Sequence, residues 1–173
     1  DFSANNLALA GSYAMQPVEN LYAGASIKYV RGTIENYSAD ALALDAGAMY
    51  LIPSQQLGFA LNVSNLGFML GQYLDADDTL PLQVRLGLSK RLAHLPLLIG
   101  LNLYRYSDSD WYFALGGEFT LTDGLFLRLG YDSYGRGLAM DSSKDTFAGA
   151  AIGLGAQWNK LSFDYAYTTL GEL

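Results

Sequence analysis

The sequence contains no cysteine, which excludes a disulfide framework and thiolate metal sites but does not reveal a compartment. It is also short of charge, at 16% of residues against roughly 25% in typical soluble domains. Positive charge is the scarcer sign: 10 Lys and Arg stand against 17 Asp and Glu, for a net charge of −7. Nucleic acid is therefore not an expected partner, because phosphates demand a basic surface. The single histidine, His94, sits beside Pro96 in "AHLP". It reads as a turn residue, and without it no Ser/His/Asp arrangement can be built. "LGLGAQ" and "GYDSYGRG" lack the following Lys-Ser/Thr of a phosphate loop. No run approaches the ~18 unbroken apolar residues of a membrane helix. The opening "DFSANNLALAG" is not a basic, apolar, cleavable leader, and reads as a mature start or as part of something longer.

What is present is alternation. In "LPLQVRLGLSKRL", Leu82, Val84, Leu86 and Leu88 alternate with Gln83, Arg85, Gly87 and Ser89. A two-residue period is an extended strand with one apolar and one polar face. The same period runs through Leu21–Tyr29, Leu57–Ser64, Leu97–Tyr104, Trp111–Leu121, Leu125–Asp132, Ala148–Trp158 and Leu161–Tyr167, and more weakly through Leu7–Met15 and Ala41–Leu51. That makes about ten strands and no helical window. The four prolines fall at strand starts or turns, where a missing N–H is harmless. No linker interrupts residues 1–173, so the chain reads as a single all-β domain, a meander.

Periodicity alone fits two architectures. A soluble sandwich buries its apolar faces against each other; an antiparallel up-and-down transmembrane β-barrel turns them to lipid and its polar faces to a lumen. Three features favour the barrel. Many strands run nine residues or more, ~30 Å of extended chain and about a tilted bilayer crossing. The polar faces are rich in Gly, Ala and Ser rather than Lys and Glu. Tyr13, Tyr29, Tyr50, Tyr104, Tyr106, Trp111, Tyr131, Trp158 and Tyr167 lie towards strand ends, as interfacial girdles require, although each could be an ordinary strand residue.

The connections add a fourth. "QPVEN", "PSQQ", "AHLP", "TDG" and "NK" read as short turns, and they alternate without exception with "GTIENYSAD", "GQYLDADDT", "YSDSD" and "SYGRGLAMDSSKD". Short periplasmic turns and longer extracellular loops mark outer-membrane barrels. By that parity both chain ends fall on the long-loop side, so strands are expected to be missing at each end.

The expected lumen carries a polar network of Lys28, Asp45, Asn62, Arg85, Asn102, Glu118, Arg128, Asp132 and Asp164. Its charges nearly balance, which suits an ion-paired interior that stiffens the barrel better than an ion-selective pore. The long loops hold an acidic set, Asp75, Asp77, Asp78, Asp108, Asp110, Asp141 and Asp145, with Glu35 and Asp40 beside them. Such a rim is a solvated surface, a contact for a basic partner, or a weak calcium collector through carboxylate oxygens. No cofactor and no bound metal is expected.

One resemblance adds to this reading. The order "NLALAGSYAMQPVENLYAGASIKYVRGTIENYSADALALDAGAMYLIP", "LGFALNVSNLG", "LPLQVRLGLSKRLAHLPL" and "LSFDYAYTTLGEL" resembles the PorV/PorQ family of outer-membrane proteins, similar in fold to the FadL fatty-acid transporters. Gly24, Ser26, Lys28, Asp45, Gly47, Asn65, Gly67, Pro81, Gly87, Leu88, Asp164 and Tyr165 carry it, as framework positions with no catalytic role. The resemblance implies a fourteen-stranded barrel in the bacterial outer membrane, of which about ten strands are visible. It also implies a non-enzymatic accessory of type IX protein secretion, whose partners are outer-membrane lipid and secreted cargo or secretion-system proteins. A FadL-like channel for hydrophobic small molecules is the alternative.

Overall fold

The computed structural model describes residues 3–35, 37–71, 79–137 and 147–169. Ten strands account for most of them: β1 (Ala4–Val18), β2 (Leu21–Ile34), β3 (Tyr37–Ile52), β4 (Leu57–Gly71), β5 (Gln83–Arg91), β6 (Leu97–Tyr106), β7 (Trp111–Thr122), β8 (Leu125–Asp132), β9 (Ala150–Trp158) and β10 (Leu161–Thr168). A 3₁₀ turn at Pro53–Gln55 and a short helix, α1 (Ser133–Gly137), are the only helical pieces among the described residues. The strands form one antiparallel sheet in chain order, the up-and-down arrangement that the alternation predicts. The order is linear, with β1 and β10 as its end strands, and the sheet is not closed into a barrel.

Two compact units can be distinguished. The first comprises 1–51, 60–86 and 105–110, and the second 52–59, 87–104 and 111–173. In the first, β1, β2 and β3 run 14 to 16 residues. In the second, β8, β9 and β10 run 8 or 9.

Where the apolar side chains lie is the decisive observation. In β5, Leu86 and Leu88 are 45% and 39% exposed, while Arg85, Gly87 and Ser89 between them are half-buried. The pattern repeats: Leu9, Ile27, Leu44, Leu61, Leu103, Leu115, Leu129, Leu154 and Phe163 are all exposed. At least 38 large hydrophobic side chains are. No large side chain is fully buried among the described residues; glycines aside, the buried residues are Ala39, Ala41, Ala43, Tyr104 and Ala148. Soluble chains of this size close-pack a core of leucines and aromatics. Here the polar face is the more sheltered one in the strands between β2 and β9, while β1 and β10 are exposed on both faces.

Turn chemistry fixes the hairpins. Val18 pairs Leu21 across Glu19–Asn20, and Trp158 pairs Leu161 across Asn159–Lys160. Asn20 and Asn159 take the left-handed conformation (φ 64° and 52°) that asparagine tolerates best after glycine. Gly124 (φ 82°) serves the β7–β8 turn, where an added Cβ would meet Gln157 O at 2.4 Å.

The strict short–long alternation of connections does not hold. Ile34 pairs Tyr37, so β2 and β3 join through two residues, and "GTIENYSAD" is largely strand. The β6–β7 connection, Ser107–Asp110, is no longer than the turn between β3 and β4. Polar composition hid these strand ends, because a strand end without an apolar face loses its periodic signal while its backbone ladder continues. The two remaining connections on that side, between β4 and β5 and between β8 and β9, are the long ones.

Candidate functional site

The polar face gathers the charged residues into separate clusters. In the first unit the β2–β3 register sets Ser26 opposite Asp45 and Lys28 opposite Ala43. Lys28 and Asp45 are therefore diagonal neighbours on one face, and Lys28 Nζ lies 2.8 Å from Asp45 Oδ2. The third member, Asn65, comes from β4. Its backbone is left-handed (φ 61°); its N–H donates to Asp45 Oδ1 at 2.9 Å, its side-chain oxygen accepts from Lys28 Nζ at 2.8 Å, and its amide donates to Pro81 O at 3.1 Å.

Asn65 also explains the length of β4. Before it, odd-numbered Phe59 and Leu61 are exposed; after it, even-numbered Leu66, Phe68 and Leu70 are. One residue accommodated as a β-bulge shifts the phase and keeps Phe59, Leu61, Leu66, Phe68 and Leu70 on the same face, with Met69 on the other. The sequence reading stops this strand near Val63 and treats Asn65 only as a framework position. The signal was present, as apolar alternation resuming one residue out of phase across "VSNL". Gly67 follows for a steric reason: a Cβ there would lie 2.0 Å from Leu42 O and 2.7 Å from Ala43 Cα.

In the second unit Glu118 pairs Arg128 across β7 and β8. Arg128 Nε donates to Glu118 Oε2 at 2.7 Å, and Nη1 donates to Asp164 Oδ1. Asp164 lies on β10, so the guanidinium reaches across the whole of β9. It can do so because the β9 residues beneath it are Gly153 and Gly155. A Cβ on Gly155 would stand 2.9 Å from Asp164 Oδ1 and 3.1 Å from both Arg128 Nη atoms. The "GLG" in "AIGLGAQ" is thus clearance for an ion pair. Three strands are fastened through one side chain, with Ser162 Oγ a further 3.2 Å contact to Asp164 Oδ2.

Asp132, the third acidic residue on this face of the second unit, does not join that pair. Its Oδ1 accepts from Tyr104 Oη at 2.5 Å and from the Tyr134 N–H at 2.9 Å. Tyr104 is 3% exposed. It packs 5.7 Å, centroid to centroid, from Tyr112, which meets Tyr134 edge-on at 5.1 Å. Tyr104 is therefore not one of the outward aromatics expected at a membrane interface; its even position in β6 turns it to the polar face. Trp111, Trp158, Tyr13, Tyr50 and Tyr167 are exposed as expected.

Of the remaining expected members, Asn62 and Asn102 stand outside both clusters. Asn62 donates to Ala46 O at 3.3 Å and accepts from Ser64 Oγ at 2.5 Å, touching neither Lys28 nor Asp45. Arg85 is half-buried on β5. Asn102, half-buried on β6, makes no side-chain hydrogen bond among the described residues.

Of the acidic rim, Asp75, Asp77, Asp78, Asp141 and Asp145 lie outside the described residues. Asp108 and Asp110 are exposed in the turn between β6 and β7. Among the described residues no group of three or more His, Cys, Asp and Glu could hold a metal ion. Asp40 is not a loop residue but part of β3, 3.8 Å from Arg31 Nε and accepting from Tyr29 Oη. Arg31 and Asp40 face the apolar side of the sheet near its edge, as Arg105 and Lys90 do near the ends of β6 and β5; Lys90 reaches back to Gln55 O. No family model matches the chain, and no curated protein sequence matches it.

Proposed function

We propose that this chain is the wall of a β-barrel in the bacterial outer membrane, with its leucine-bearing face against lipid and its polar face turned to the interior. The observation that carries the reading is the exposure of that apolar face. A bilayer supplies the environment that burial supplies elsewhere, at about 25 cal/mol for each Å² of apolar surface removed from water. The outward charges support it, since Arg31, Asp40, Lys90 and Arg105 stand near strand ends and leave the spans between them uncharged. Paired charges on the inner side brace the wall, and no step of bond chemistry is assigned to them.

On the resemblance described above, the barrel serves type IX protein secretion as a non-enzymatic accessory, contacting cargo or translocon proteins through its loops. A FadL-like channel for hydrophobic small molecules is the second reading. It is favoured by one feature, a recess of about 510 Å³ on the polar face of the second unit.

Fractionation of cells expressing the complete gene product tests the membrane assignment: recovery in the outer-membrane fraction, extracted only by detergent, is expected. Stable solubility without detergent overturns it. Co-purification then separates the two roles, with cargo or translocon protein supporting the first and bound fatty acid the second.

A further inference from the structure

Most constrained glycines in this sheet have a stated reason, as Gly67, Gly124 and Gly155 show. Gly100, Gly116 and Gly130 do not. A Cβ on Gly100 would meet nothing within 4 Å, one on Gly116 only Leu129 O at 3.6 Å, and one on Gly130 only atoms at 3.8 Å. None has a positive φ. Glycine inside a strand is unfavourable because it loses the most conformational freedom on folding. What these three achieve together is space: all three line the 510 Å³ recess, and Gly116 and Gly130 are direct register partners. That volume suits a small organic ligand.

The polar groups around this floor are unevenly engaged. Arg128 is held by Glu118 on one side and Asp164 on the other. Both hydrogen bonds to Asp132 fall on Oδ1, leaving Oδ2 without a partner among the described residues. The Asn102 amide, also lining the recess, has none either. Of the charged residues that line the recess, Glu118 is paired with Arg128, which leaves Asp132 as one surplus negative charge beside the glycine floor.

We propose that the recess is a binding site for an amphiphile with a cationic head, an alkylammonium in its simplest form. The head would pair with Asp132 Oδ2 and hydrogen-bond the Asn102 amide oxygen; the chain would lie along the floor of Gly100, Gly116 and Gly130. A fatty carboxylate of the same length is disfavoured by the same charge, so the site selects against the acid class that a FadL-like channel takes. The proposal rests on this face being turned away from lipid.

The test uses the complete protein reconstituted in lipid nanodiscs and shown by circular dichroism to be folded, titrated calorimetrically with octylammonium and with octanoate. Octylammonium is expected to bind about tenfold tighter or more than octanoate. Gly116→Leu, whose Cβ would meet only Leu129 O at 3.6 Å and whose side chain would occupy the floor, is expected to weaken octylammonium about tenfold, and Asp132→Asn, which keeps an acceptor for Tyr104, by a smaller factor while narrowing the amine–acid gap. Octanoate binding as tightly as the amine, or Gly116→Leu leaving amine binding unchanged, overturns the proposal. Failure to insert into the bilayer counts against the membrane reading instead.

Discussion

The two units support the same kind of polar face by opposite means. In the first, the backbone yields: β4 takes in one extra residue, and Asn65 turns its side-chain oxygen onto Lys28, its own N–H onto Asp45 and its side-chain amide onto Pro81. In the second, β8, β9 and β10 pair without a register shift and side chains are left out instead, so that Arg128 can pass over Gly153 and Gly155 to reach Asp164. A bulge creates a new partner, whereas a glycine pair gives an existing one a longer reach. The first cluster should therefore be sensitive to backbone conformation and the second to side-chain volume.

Four substitutions, two of them set against a companion variant, break or sharpen that contrast. Arg128→Glu has the largest expected effect, because it removes the one cation that joins three strands and places a third carboxylate between Glu118 and Asp164. Little folded protein should be recovered in detergent micelles. A folded variant altered only in conductance selectivity would mean that these charges conduct rather than brace. Gly67→Ala comes next. Its Cβ would strike the β3 backbone, and overpacking against an unyielding neighbour costs about 2–3 kcal/mol, read as a lowered urea midpoint.

Gly155→Ala is milder, since the atoms it meets are side-chain tips that can withdraw. It should act by displacing Arg128 from Asp164, so it and Asp164→Asn should be strongly non-additive in a double-mutant cycle. Additive effects would mean that the glycine serves something else. The smallest effect is that of Asn65→Gly, which keeps the left-handed backbone and the N–H bond to Asp45 but loses both side-chain bonds. Asn65→Ala adds conformational strain and should cost about 1 kcal/mol more. Equal effects of the two would remove the backbone from the account of the first unit.

Strand number, alternation and the identity of the exposed face were legible in the sequence because each rests on the period of two. Every one of the ten expected strands is present, most with ends displaced outward. What escaped depends on pairing. Tyr104 looks like any strand-end aromatic until its parity in β6 is set against Leu103. Arg128 and Asp164 are 36 residues apart in sequence, and nothing local says that β9 between them is bare of side chains. Asn65 interrupts the period that was being used to find strands, so the residue most informative about β4 was the one at which the pattern was lost.

That Tyr104 is the one large side chain buried among the described residues bears on how such a chain reaches its native state. In water it has nothing to collapse around; early pairing between strands would leave leucines and tyrosines available to any neighbouring chain, inviting aggregation rather than folding. A route that keeps successive hairpins apart until a bilayer receives them avoids that outcome. On the membrane reading proposed above, insertion and the acquisition of tertiary structure would be a single event.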